Sequence, residues 1–169
     1  MKEYKSINIA AECIAERAYK DTNDELPSIL SLIKWTEKNF NTKIRIAFGN
    51  LCGSGLVHSD PDTGGYKIWI KNSEPDFRQR FTLCHEIAHV VRNRGLRYGL
   101  YTGDIYSSWG EERFCHRFAA AFLMPKELFY YKWNVIRDSN IPFKKARLAK
   151  FFNVSGSTVD IRAKELKLI

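Results

Sequence analysis

No stretch of this chain is apolar for long enough to cross a bilayer. A spanning helix needs about 20 such residues, and the run through Ala119–Met124 stops at Pro125. The segment Met1-Lys2-Glu3-Tyr4-Lys5 leads straight into an amphipathic stretch holding Glu12, Glu16 and Arg17, so an uninterrupted apolar core of signal-peptide type is missing. Close-spaced cysteines are missing as well. Cys13, Cys52, Cys84 and Cys115 stand far apart, which makes buried, reduced thiols and a cytoplasmic location the expectation. Internal repeats, low-complexity tracts and linkers are absent, and a single domain over residues 1–169 is expected. Histidine is scarce: the chain has four, and two of them stand four residues apart, at His85 and His89.

The composition is that of an ordinary folded protein, with 44% hydrophobic residues. The 27 Lys and Arg against 19 Asp and Glu leave a net charge of +8. Such an excess favours acidic partners without naming one. Basic residues gather at Arg92, Arg94 and Arg97 and again at Lys144, Lys145, Arg147 and Lys150, and both groups read first as solvated surface.

The hydrophobic period divides the chain into three portions. In residues 1–41, Ile7, Ala10, Cys13, Ile14 and Ala18 recur at helical spacing, and Pro27 opens a second helix carrying Ile29, Leu32, Ile33 and Trp35. Over 42–125 the period first drops to two. Ile44, Ile46 and Phe48 alternate with polar neighbours, Leu51–His58 is a weaker strand interrupted by glycines, and Tyr66, Ile68 and Ile70 form a third after the Asp60–Gly65 turn. A small, largely antiparallel sheet of about three strands follows from this. Helices then return, one through Phe81–Val91 and one from Glu111 to Pro125, separated by the glycine- and aromatic-containing stretch 95–110. Residues 126–169 read as short helices. The fold class expected is α+β.

His85-Glu86-Ile87-Ala88-His89 lies inside the third predicted helix. At 100° per residue the two imidazoles project about 40° apart, close enough to hold one ion. Glu86, next round the helix, is placed to take a proton from water, as a zinc hydrolase requires. A catalytic zinc also needs a third protein ligand and an open position. Glu112 is the first candidate, with His116 four residues on and facing the same way, available to hydrogen-bond the second nitrogen of a ligand histidine. The reverse assignment stays open, and Asp104 and Glu111 are weaker candidates. Tyr98, Tyr101, Tyr106 and His58 are available as oxyanion donors. Tyr66–Lys71 is expected to present a sheet edge to which an extended substrate adds as a strand.

Three segments also carry a resemblance. Arg80–His89 resembles the active-site helix of the ImmA/IrrE family of metallopeptidases, Glu112–Pro125 resembles its second signature, and Leu148–Ser155 with Val159 and Arg162 resembles its C-terminal helical pattern. The resemblance implies Zn²⁺ bound by His85, His89 and Glu112, with Glu86 as base. Ala88 stands where that family commonly has glycine, and Cys115-His116 replaces its usual alanine-asparagine. Members typically act inside bacteria, phages or mobile elements on a helix-turn-helix repressor. The resemblance therefore implies an intracellular endopeptidase with such a repressor as its protein partner and no membrane role. Two alternatives stand beside it: a zinc-containing interaction protein without proteolysis, and DNA binding through a helix-turn-helix formed by Phe143–Phe152 and Ser157–Leu166. Asp160 and Glu165 on the supposed recognition helix argue against direct nucleic-acid binding.

Overall fold

In the computed structural model, which describes residues 6–95, 108–139 and 142–169, two N-terminal helices are followed by three strands and five further helices. Helix α1 (Ile7–Thr22) starts where the Ser6 hydroxyl accepts from the Ile9 amide and ends at Asn23 in the left-handed conformation. Helix α2 (Ile29–Phe40) begins with the same device: Ser28 caps it, so Pro27 lies just outside the helix rather than in its first turn. Asn41 closes α2 with φ of 44°.

The strands are β1 (Ile44–Gly49), β2 (Gly55–Asp60) and β3 (Gly65–Lys71), in the spatial order β1-β3-β2. The α+β class is as expected, but the sheet is mixed. β2 and β3 form an antiparallel hairpin through the Asp60–Gly65 turn, whereas β1 pairs with β3 in parallel, Ile46 opposite Ile68. The tight turn lets β3 pair only with its hairpin partner on one side, which leaves its other side for β1. Arg45 of β1 ties this arrangement together, with Nε and Nη2 each 2.6 Å from a carboxylate oxygen of Asp60. Gly65 is needed where the parallel pair starts, because a Cβ there would meet the backbone of Lys43.

The placement of β3 overturns one expectation. Tyr66–Lys71 is the central strand, hydrogen-bonded on both sides, and offers no free edge; β2 is the edge that lies beside α3. The alternation of Ile68 and Ile70, both fully buried, signals a core strand but cannot say which strand ends the sheet.

Helix α3 (Asp76–Gly95) packs on the sheet and on α4 (Ser108–Leu123), and α4 packs on α1. Small residues permit close approach here: Ala10, Ala11, Ala15 and Ala18 of α1 and Ala119 and Ala121 of α4 are buried, beside Phe114, Phe118 and Phe122. Helices α5 (Lys126–Arg137), α6 (Lys144–Phe152) and α7 (Gly156–Glu165) complete the described chain. The last is joined to the core by an unusual anchor. Arg162 is completely buried, donating from Nε to the Met124 carbonyl and from Nη1 and Nη2 to the Glu12 carboxylate at 2.8 and 2.6 Å.

Candidate metal centre

The α3 and α4 helices bring three polar side chains to one spot. His85 and His89, one turn apart, direct their Nε2 atoms to within 3.2 Å of each other. Glu112 of α4 reaches over from the partner helix, with Oε2 3.4 Å from His85 Nε2 and Oε1 3.5 Å from His89 Nε2. An ion held tetrahedrally by bonds of about 2.0–2.1 Å needs ligand atoms about 3.3 Å apart. The two imidazole nitrogens stand at about that spacing from each other and each from its own oxygen of Glu112, and imidazole with carboxylate is a donor set suited to a zinc-sized ion.

His85 is buried, and that burial, followed by the neighbouring His116 and His89, pushes its pKa down to about 3. It is thus a neutral imidazole at ordinary pH, the form that donates a lone pair. Its Nδ1 is buried with no hydrogen-bond partner among the described residues. His89 is oriented differently. Its Nδ1 lies 2.8 Å from Glu111 Oε1, and the same carboxylate oxygen is 2.8 Å from Arg92 Nη1. With Nδ1–H donated to a carboxylate, Nε2 is left as the acceptor facing the cluster.

Glu111, from sequence only a weaker ligand candidate, is therefore the group that orients His89. The signal was present in the pair Glu111-Glu112, but two adjacent carboxylates on a helix cannot be assigned until the facing helix is known. His116 takes a more exposed place. Its Nε2 is 3.9 Å from Glu112 Oε2 and its ring 4.5 Å from that of His85, without hydrogen-bonding the Nδ1 of His85 or His89. His85, Glu112 and His116 nevertheless form one close group of donor atoms, and His85, His89 and Cys115 form another. Burial above all, then Glu112 and Glu111, keeps the Cys115 thiol pKa high.

Glu86 lies on the side of α3 that meets β2. It is buried, and that burial raises its carboxyl pKa, with His89 opposing and Glu112 reinforcing the rise. A cleft of about 670 Å³ opens over Glu86, both histidines and Glu112, walled on one side by Gly55, Leu56 and other residues of the β2 edge. Gly55 must be glycine for this approach: a Cβ there would lie 2.5 Å from Thr82 Cγ2 and 3.0 Å from Glu86 Oε1. Gly55→Ala is expected to lose about 1–3 kcal/mol in urea unfolding through overpacking. Gly53→Ala, where an added Cβ has nothing nearer than 3.9 Å, serves as the near-neutral control. His58 of β2 is exposed, its Nδ1 2.8 Å from the Ser59 carbonyl, and is not part of the cleft wall. Tyr98, Tyr101, Tyr106 and Asp104 lie outside the described residues.

The family model of the IrrE N-terminal-like domain, a family of peptidases, matches residues 41–164. This chain belongs to that family. The match covers the sheet, both helices of the centre and most of the C-terminal portion, and leaves out α1 and α2. No curated protein matches the chain. Among solved structures, one described as a Mycobacterium tuberculosis transcriptional regulator superposes with a TM-score of 0.58 and 19% identity. The alignment covers 88% of this chain but 45% of that one, so this IrrE-like domain spans less than half the length of that regulator. At this identity the likeness shows a shared fold. Membership of this peptidase family supports a metallopeptidase-like or regulatory role, and the α3–α4 cluster holds groups able to bind a metal ion.

Proposed function

We propose that this chain is a zinc-dependent endopeptidase that cleaves a helix-turn-helix repressor inside the cell, with His85, His89 and Glu112 as metal ligands and Glu86 as general base. The observation that carries the reading is the convergence of His85, His89 and Glu112, the two Nε2 atoms 3.2 Å apart and each 3.4–3.5 Å from a different Glu112 oxygen, beside a buried carboxylate and an open sheet edge. Zinc, when bound, supplies the Lewis acidity that polarises a peptide carbonyl and makes water a nucleophile near neutral pH.

The chain's own residues do the rest. Glu86 accepts the proton of the attacking water and returns it to the leaving amine, a task favoured by burial that raises its basicity. Glu111, braced by Arg92, holds the His89 ring with Nε2 toward the cluster. The free edge of β2 pairs with an extended substrate backbone, so the strand adopted by the repressor would join the sheet next to β2. An edge that reads backbone rather than side chains suits a substrate segment that unfolds locally.

The C-terminal helices favour this reading over duplex binding. On α7, Arg162 is buried in ion pairs and Lys145 of α6 is paired with Asp160 at 2.8 Å. Leu148, Phe152, Val159 and Ala163 face the interior, which makes the helix pair a packing element.

The test is co-expression with the helix-turn-helix repressor encoded nearest to this chain. Intact protein should cleave it, and Glu86→Gln should retain metal while cleavage falls by about 10²–10⁴-fold, the usual worth of a general base. Equal fragmentation by both proteins would remove Glu86 from the mechanism. Absence of cleavage of any helix-turn-helix protein of the same genome would remove the repressor reading.

A further inference from the structure

Cys115 stands three residues after Glu112 on α4, and residues at that spacing share a helix face. That face meets α3. The thiol is completely buried, and its sulfur and a ring nitrogen from each of His85 and His89 all lie within 4.8 Å of one another. A buried thiol ordinarily acts as a small apolar filler. Here it lies beside two imidazoles whose Nε2 atoms are 3.2 Å apart, and the Nδ1 of one of them, His85, is buried with no hydrogen-bond partner among the described residues. Glu112 approaches the same histidines from the solvent side, with more than half of its side chain exposed. Beside the histidine pair the cluster thus has one fully buried donor and one exposed donor.

We propose that Cys115 is a metal ligand of this centre, binding from the protein interior an ion seated on His85 and His89. The inference rests on the metal-centre reading above and deepens it. Binding transfers the S–H proton to solvent and leaves a thiolate donor. A zinc–sulfur bond, at about 2.3 Å, is longer than the zinc–nitrogen bond of about 2.0–2.1 Å and reaches further into the cluster. Beside His85 and His89 the sulfur would serve as third protein ligand in place of Glu112 whenever the carboxylate leaves the ion, so that the set stays at three and the position water must occupy stays open. Sulfur also biases the centre toward thiophilic ions, zinc or cadmium, and away from magnesium or manganese.

Cobalt(II) substitution of the full chain tests this directly, because a thiolate ligand gives a sulfur-to-cobalt charge-transfer band in the ultraviolet that imidazole and carboxylate do not. The band is expected in the unaltered protein and in Cys84→Ala, the control for the other fully buried thiol. It should be lost in Cys115→Ala and in the near-isosteric Cys115→Ser, with cobalt still bound and circular dichroism unchanged. Cadmium affinity should fall on the order of tenfold or more in Cys115→Ser. One equivalent of cobalt bound without the band, or a band that survives Cys115→Ser, would overturn the proposal while leaving the metal centre standing. Failure of the unaltered protein to take up any cobalt would overturn both.

Discussion

Arg162→Ala should lower the stability of this domain by about 3–5 kcal/mol, the cost of leaving one partner of a buried pair behind. For a chain of this size that corresponds to a fall in melting temperature of roughly 10 °C or more. The guanidinium is completely buried and spends its donors on Glu12 of α1, Glu165 of α7 and the carbonyl of Met124. Removing it leaves the Met124 carbonyl without this donor and Glu12 with Arg117 alone, at 2.8 Å. Arg117 also pairs with Glu165, so the network keeps part of its strength and the loss should fall toward the lower end of the range.

The same network has a pH signature. Burial raises the Glu12 carboxyl pKa, but the hydrogen bonds and charges of Arg162 and Arg117 outweigh it, and the pKa ends below its ordinary 4.5. A carboxylate whose folded pKa is depressed contributes stability that is present above its unfolded pKa and is lost as pH falls through the folded one. Acid unfolding of the intact domain should therefore steepen below about pH 4.5, and Arg162→Ala should flatten that limb. Thermal melts from pH 7 down to 3 measure both effects. An Arg162→Ala protein that melts within a degree or two of the parent would show that α7 is not anchored through this residue.

Glu112→Ala should weaken zinc binding by more than the roughly 10–100-fold that loss of a hydrogen-bond partner behind a ligand costs. His116→Ala should stay within that range or below it. The geometry behind the difference is direct. Each oxygen of Glu112 is 3.4–3.5 Å from the Nε2 of a different histidine, whereas His116 faces Glu112 at 3.9 Å from an exposed position. Competition with a chromophoric chelator ranks the two variants against the parent. A larger loss in His116→Ala than in Glu112→Ala would exchange their roles and move the ion outward, to the His85–Glu112–His116 group.

The legible part of the site was the part contained in one helix. His85, Glu86 and His89 sit within a single turn and a half of α3, and helical rotation alone aligns the two imidazoles. The strands were legible for a similar reason: a period of two in Ile44–Phe48 and Tyr66–Ile70 marks strands whatever their neighbours are. Edge and centre were not legible, because order in a sheet depends on which strand the hairpin turn leaves free. The role of Glu111 was hidden for the same kind of reason. Its carboxylate and that of Glu112 differ by about 100° around α4, and only the docking of α4 on α3 decides that one meets His89 Nδ1 and the other the two Nε2 atoms.

Arg162 shows the contrast most sharply. In the sequence it is one of several basic residues on a helix with Lys164 and Lys167, open to reading as a phosphate contact. In the folded chain it is, among the described residues, the largest completely buried side chain, paired with a carboxylate 150 residues earlier. By itself the sequence determined the helical histidine pair, its glutamate and the α+β class, since these follow from local periodicity and residue chemistry. The tertiary structure alone decided the reach of Glu112 toward the histidines, the group that orients His89, the free edge of β2 and the thiol beside the histidines. Each of those is a contact of a few ångströms between elements distant in the chain, set by how the small and aromatic residues of α1, α3 and α4 pack.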